Sequence, residues 1–292
     1  MTNNNRNVLS VDVEDWFHIL DSPAVPDVNR WPLLPSRVEA SMDTILEILD
    51  ITQTKATFFW LGWVAERFPT LVKRCEAEGH EIASHGYAHV LAYKVGHQAF
   101  TADLIKAKRL LEDITGKAVH GFRAPGFGIT DEATWAFDVI KSVGHEYDSS
   151  VFPAARGHGG VINAPIGPYV IETASGILPE VPMSVVEFAG KRFSFFGGGY
   201  LRLAPLALIH WGMRRVHKSK RPVVIYTHPR ELDPQHPRLP LSKIRSFKSY
   251  FNLKTTRPKL LSLCERYEFI TMRELVHGFV RETELQKSVR RF

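Results

Sequence analysis

The sequence predicts an α/β fold: a largely parallel sheet, closed or nearly closed into a distorted (β/α) barrel, with helices outside it. Three observations predict it. Short β-rich apolar runs alternate with helix-period runs along most of the chain. Ionisable residues gather just after the apolar runs, where a barrel of this kind carries its chemistry. The length of 292 residues at 44% hydrophobic is enough chain for one large core, so a single domain spanning 1–292 is expected.

Local signals place each element. Residues 8–12 read as the first strand. Residues 36–50 read as a helix opened by a Ser36/Glu39 capping box, with Val38, Met42, Ile45, Leu46 and Leu49 at helical spacing. A strand at 56–60 leads to a helix at 69–78, with proline at its start and Gly79 as its stop. A strand at 81–84 precedes a periodic helix at 100–114 ended by Gly116, then a strand at 119–123 and a helix at 130–143 stopped by Gly144. From about 150 to 200 the rhythm breaks into Gly, Pro and Phe with β-like pieces such as 183–188, an irregular insertion expected to shape a groove. A helix at 205–218, the clearest buried strand at 223–227, a helix at 257–267 and a short strand at Phe269 complete the pattern. No internal repeat is visible.

Composition excludes several classes. Charged residues at 23% and aromatics at 11% match ordinary globular usage, not fibrous or low-complexity chains. Thirty-seven Lys+Arg against 31 Asp+Glu give +6, too little for the dense basic stripe of a nucleic-acid binder. Cys75 and Cys264 stand far apart and read as small buried hydrophobes. The polar start lacks an apolar signal-peptide core, so a cytoplasmic location is expected. No run approaches the ~18 apolar residues of a membrane span.

The strand ends carry Asp12, Glu14 and Asp15; His85 and His89; Arg123; Asp148; and His228. Three carboxylates directly after an apolar strand repel one another unless a metal or an arginine neutralises them. SHGYAH has the HxxxH spacing that sets two imidazoles on one face of a helical turn. Thirteen histidines supply about 0.6 such pairs by chance, so the pair counts through its context. Two histidines and a carboxylate form a catalytic metal set with positions left open. In GFRAPG, turn chemistry fixes the backbone under Arg123, whose guanidinium can grip a carboxylate.

Taken together, SVDVED, SHGYAH, RAPGF, YDSS and IYTH resemble the five motifs of the carbohydrate esterase family 4 polysaccharide deacetylases, the NodB-homology fold, over about 8–230. RAPGF is short of the motif's usual glycine. SVDVED departs from the usual adjacent aspartates and resembles an acid-x-acid subgroup that includes peptidoglycan deacetylases and metal-independent allantoinase-like hydrolases. FSFFGGGYLRL resembles a segment of deacetylases from exopolysaccharide gene clusters.

The resemblance implies a NodB-like core over about 8–275 and a hydrolase that removes N-acetyl or O-acetyl groups from a glycan or glycan precursor, releasing acetate. It implies one divalent metal, zinc first and cobalt, nickel or iron next, held by Glu14, His85 and His89. Asp12 is implied as the base, with Asp15 the alternative for either carboxylate role. Arg123 orients Asp12, His228 protonates the leaving amine, and Asp148 orients His228. Trp16, Phe196, Tyr200 and Trp211 offer sugar-stacking faces, though core packing competes for most of them. The implied partner is an acetylated carbohydrate, with no nucleic acid and no transmembrane segment; the sequence leaves the oligomeric state open. Two rivals remain: an allantoinase-like C–N hydrolase, which would lack the histidine pair kept here, and a catalytically silent carbohydrate- or membrane-surface-binding protein. The latter's support is the apolar stretch 201–221 with its basic end, for which an ordinary barrel helix is the alternative.

Overall fold

The computed structural model describes residues 6–20, 27–154 and 159–286; the polar stub at 1–5 lies outside them. The chain runs β1 (Asn7–Val13), α1 (Val38–Ile51), β2 (Thr57–Trp60), α2 (Gly62–Arg67), α3 (Pro69–Ala77), β3 (Glu81–Ser84), α4 (Ala92–Thr115), β4 (Gly121–Phe122), α5 (Trp135–Ser142) and β5 (Tyr147–Asp148). It continues through β6 (Tyr169–Thr173), β7 (Gly176–Glu180), β8 (Val186–Phe188), β9 (Lys191–Phe193), α6 (Gly198–Leu203), α7 (Leu206–Lys218), β10 (Val223–Thr227), α8 (Lys243–Tyr250), α9 (Thr256–Arg266), β11 (Phe269–Ile270) and α10 (Met272–Gln286).

Nine strands form one mixed, mostly parallel sheet in the order β10-β1-β2-β3-β4-β5-β7-β6, with β11 pairing the start of β1. β1 lies between β10 and β2, so all seven of its residues are buried. That position explains its nearly continuous apolar sequence, as in parallel sheets covered on both faces. The parallel register sets Val11 beside Thr227 and Val13 beside Trp60, with Trp60 beside Ser84 and Ser84 beside Phe122. The C-terminal ends of these strands therefore open on one side, and the loops that leave them converge there.

Three local features differ from expectation. α1 starts at Val38 with no side-chain cap from its N-cap residue; instead Ser36 Oγ accepts the Val38 N–H at 3.3 Å, and Asp15, two residues past β1, accepts the Arg37 N–H at 3.1 Å and the Ser36 hydroxyl. The helix start is thus capped by Ser36 with support from the loop after β1, and among the described residues the Glu39 half of the expected box is not used. α4 starts eight residues early, because Gly96 at φ +77° lets a short turn merge with the expected helix. Within the stretch expected to be irregular, β6 and β7 form an antiparallel hairpin joined to β5 through Asp148 and Glu180, so they extend the main sheet. β8 and β9 form a separate hairpin.

α7 buries Ile209, Gly212, Met213 and Val216 and packs on β8 and β10. The apolar face of this helix is thereby consumed by the core, as an ordinary barrel helix requires, while Leu203 ahead of it stays exposed. Among the described residues, no helix is long and apolar enough to cross a membrane.

Candidate metal centre and catalytic cleft

β1 ends one residue after Asp12, and the backbone turns so that Glu14 N–H donates to the Asp12 carbonyl at 3.0 Å. Glu14 is buried, and its Oε1 lies 2.9 Å from His89 Nε2 and 3.3 Å from His85 Nε2. One ligand atom from each of the three residues falls within 4.8 Å of the others.

The two histidines do not share a helical turn. They sit in the loop after β3, with Gly86 at φ +73° and His89 itself at φ +55°. Three anchors hold this loop. Asp103 of α4 accepts the N–H groups of Tyr87 at 2.7 Å and Ala88 at 2.9 Å. The first residues of α2, Gly62 and Trp63, donate to the carbonyls of Gly86 and Tyr87. A side chain at Gly86 would meet the Asp103 carboxylate at 2.7 Å, so glycine is needed there both for φ and for space.

The donor set fits a divalent transition metal. His85 Nδ1 lies 2.7 Å from the Arg123 carbonyl, and a carbonyl only accepts, so Nδ1 carries the proton. Nε2 then presents a lone pair toward a carboxylate oxygen, an arrangement of two acceptors that a cation satisfies. Burial pushes the Glu14 carboxyl up, but positive charge at His89 and His228 holds it well below the usual carboxylate range. Asp15 points elsewhere, its oxygens taken by Trp16 N–H, Arg37 N–H and Ser36.

Asp12 faces the same space. The fully buried Arg123 guanidinium holds its Oδ1 at 2.6 Å, and is itself fixed by Ser10 Oγ at 2.8 Å, the Ser149 carbonyl at 3.2 Å and the Phe59 ring at 4.0 Å. The other oxygen, Oδ2, lies 3.9 Å from His228 Nε2. His228 follows β10, and its Nδ1 lies 3.5 Å from Glu231 Oε1. Burial works to discharge the His228 imidazole, yet the negative charges of Glu14 and Glu231 outweigh it and raise its pKa. Glu231, pushed up by burial but held by His228, Arg202 and Arg230, falls to about 2.

Glu231 therefore stands where Asp148 was expected. Asp148 is buried opposite Glu180 across β5 and β7 and accepts from Ser150; burial raises both carboxyls, so this pair favours a shared proton. Two aromatic expectations are also corrected. Trp16 is 4% exposed, donating to the Pro35 carbonyl at 2.9 Å, and Phe196 is 1% exposed within the main core. Neither offers a face to a sugar. Trp211 is partly buried against the same core, whereas Tyr200 is 48% exposed.

Asp12, Glu14, His89, Tyr200 and His228 line one cleft of about 410 Å³, joined by His18, Arg202, Arg230, Arg245 and Lys248. His18 accepts the Asp15 N–H at 2.9 Å through Nδ1, and burial holds its pKa well below the usual imidazole value, so it is a neutral ring. Asp103, Glu231 and His18 were missed in the sequence. Asp103 lies far along the chain from the loop it holds; Glu231, three residues after His228, and His18, in the DWFH run, carried a local signal.

Residues 33–147 match the polysaccharide deacetylase family model, and residues 149–277 match a domain of unknown function, DUF3473. A peptidoglycan-N-acetylglucosamine deacetylase of Bacillus cereus is 39% identical over 93 residues, 32% of this chain and 34% of that protein. A chitooligosaccharide deacetylase of Azorhizobium caulinodans is 30% identical over 101 residues, 34% of this chain and 47% of that one. The chain thus spans a third to a half of the length of these curated relatives. A Mycobacterium smegmatis crystal structure assigned to the polysaccharide deacetylases superposes with a TM-score of 0.63 at 17% identity, covering 96% of this chain and 92% of that one. It shares the fold.

Proposed function

We propose that this chain, whose residues 33–147 match the polysaccharide deacetylase family model, is a metal-dependent hydrolase removing acetyl groups from an N-acetylglucosamine-type glycan or glycan precursor. The observation that carries the reading is the convergence of Glu14, His85 and His89 beside the Arg123-held Asp12 and the Glu231-paired His228. Sheet β1–β7 and β10 draws strands from both matched stretches, which supports one catalytic unit over 1–292 with its core at about 8–275.

Zinc, or else cobalt, nickel or iron, held by Glu14, His85 and His89 would supply Lewis acidity at the acetyl carbonyl and acidify water. Asp12 accepts the proton of the attacking water through Oδ2, since Arg123 occupies Oδ1. His228 donates its proton to the departing nitrogen as the C–N bond breaks, leaving acetate and a free amine. Asp12 and His228 line the cleft with two of these ligands, Glu14 and His89, and Tyr200 offers the exposed ring for a sugar. O-acetyl removal would use the same groups with a less basic leaving oxygen.

Acetate release across a panel of N-acetylated oligosaccharides, peptidoglycan fragments and nucleotide-linked sugars tests the proposal. Metal-loaded protein should release acetate while Asp12→Asn should not. Hydrolysis of a cyclic ureide by protein stripped of metal would favour the allantoinase-like reading instead; a panel with no turnover at all would favour a silent binding protein.

A further inference from the structure

Between Asp233 and Glu265 the chain contains no acidic residue, yet seven Lys or Arg. Helix α8 lies within this run at the lip of the cleft, where its Arg245 and Lys248 are lining residues beside Tyr200 and Leu203. Its inner side is fastened down. Tyr250 is buried, and the buried Arg202 guanidinium donates to the carbonyls of Lys248 at 2.8 Å, Ser249 at 3.0 Å and Phe251 at 3.0 Å.

The outer side is apolar and uncovered. Ile244 is 71% exposed, Phe247 51% and Phe251 48%, at spacings of three and four that place them on one face. The two phenylalanine rings lie 4.6 Å apart, and Leu203 and Tyr200 continue the patch toward the cleft mouth. A fixed helix with an apolar stripe flanked by cations is the pattern that lies in the headgroup layer of a membrane.

We propose that α8 docks the mouth of the cleft on an anionic lipid bilayer surface. Ile244, Phe247 and Phe251 enter the headgroup boundary while the exposed Lys243 and Lys248 meet anionic headgroups. A second copy fits this face poorly, because symmetric pairing would bring the same cations against each other. A stripe three side chains long also falls short of the ~800 Å² per partner of a standard protein interface, which shallow insertion does not need.

The test is co-sedimentation of the full chain with vesicles of phosphatidylglycerol and phosphatidylcholine, against vesicles of phosphatidylcholine alone. Wild type should sediment with the anionic vesicles, be released by salt, and leave the neutral ones unbound. The triple variant Ile244→Ser, Phe247→Ser, Phe251→Ser should lose about tenfold or more in vesicle affinity with unchanged circular dichroism and hydrolysis of a soluble substrate. Should the triple variant misfold, Lys243→Glu, at an exposed position outside the cleft, should by itself weaken binding about fivefold. Wild type left in the supernatant, or variants that bind as wild type does, would overturn the proposal. So would a dimer that the triple variant turns into a monomer, since the face would then join copies of the chain.

Discussion

His85 donates its Nδ1–H to the backbone carbonyl of Arg123 at 2.7 Å, while the guanidinium of that same arginine holds Asp12 at 2.6 Å. One residue thus orients a candidate metal ligand through its backbone and the proposed base through its side chain. Replacing only the side chain separates the two effects. Arg123→Met should keep metal content near wild type but leave a buried carboxylate without its counter-charge, costing about 3–5 kcal/mol in urea unfolding. A stability loss under about 1 kcal/mol, the scale of an exposed pair, would mean that water or another group replaces the guanidinium.

The roles of Glu14 and Asp15 are separable in the same way. Glu14→Gln should abolish tight metal binding with little change in fold, because the remaining pair of imidazoles lacks the anionic ligand. Asp15→Asn should retain the metal and instead destabilise the start of α1 by about 1 kcal/mol, the usual scale of a lost helix cap. Metal analysis after dialysis, paired with thermal unfolding, reads both. The opposite pattern would exchange the two residues.

Asp103 reaches the metal centre only through the loop that it anchors at Tyr87 and Ala88. Asp103→Ala releases two backbone N–H groups and lets the loop between His85 and His89 relax. Metal affinity should fall about 10- to 100-fold, the range for lost outer-sphere support, while Asp103→Asn should recover part of it through its remaining carbonyl oxygen. Isothermal titration with zinc distinguishes this from a purely structural role, in which melting temperature would drop and affinity would not.

How legible these features were in the sequence depends on how local their causes are. β3 and β10 coincide with the strand-like runs at 81–84 and 223–227 because both strands are buried along nearly their whole length. α8 escaped notice because its Ile244 and Phe247 face outward and its helix period is therefore not tied to burial in the core. HxxxH suggested a helical turn, whereas two left-handed residues and an aspartate from α4 bring the imidazoles together. Assigning Asp148 to His228 went astray for a related reason: β7, which supplies Glu180 as its neighbour, lay in a stretch read as irregular.

The pairing of His228 with Glu231 yields a pH prediction with a definite sign. As the proposed acid, His228 must be protonated, so its pKa sets the alkaline limb of kcat/KM. Burial and Arg230 lower that pKa, while Glu14 and Glu231 raise it to a net value above the usual 6.5. Glu231→Gln removes one of the two raising carboxylates and keeps the lowering influences, so the alkaline limb should move to lower pH; His228→Ala should abolish the limb. Stability should follow the same linkage. The contribution of a raised histidine is fully present below about 6.5 and fades as pH climbs through its folded pKa. The contribution of Glu231, held near 2, is present above about 4.5 and fades as pH falls toward 2. Wild type should therefore exceed Glu231→Gln in stability most between about pH 4.5 and 6.5, where both groups are charged. An alkaline limb that stays in place in Glu231→Gln would show that Glu231 does not tune the proton donor, and one that persists in His228→Ala would assign the proton to another group.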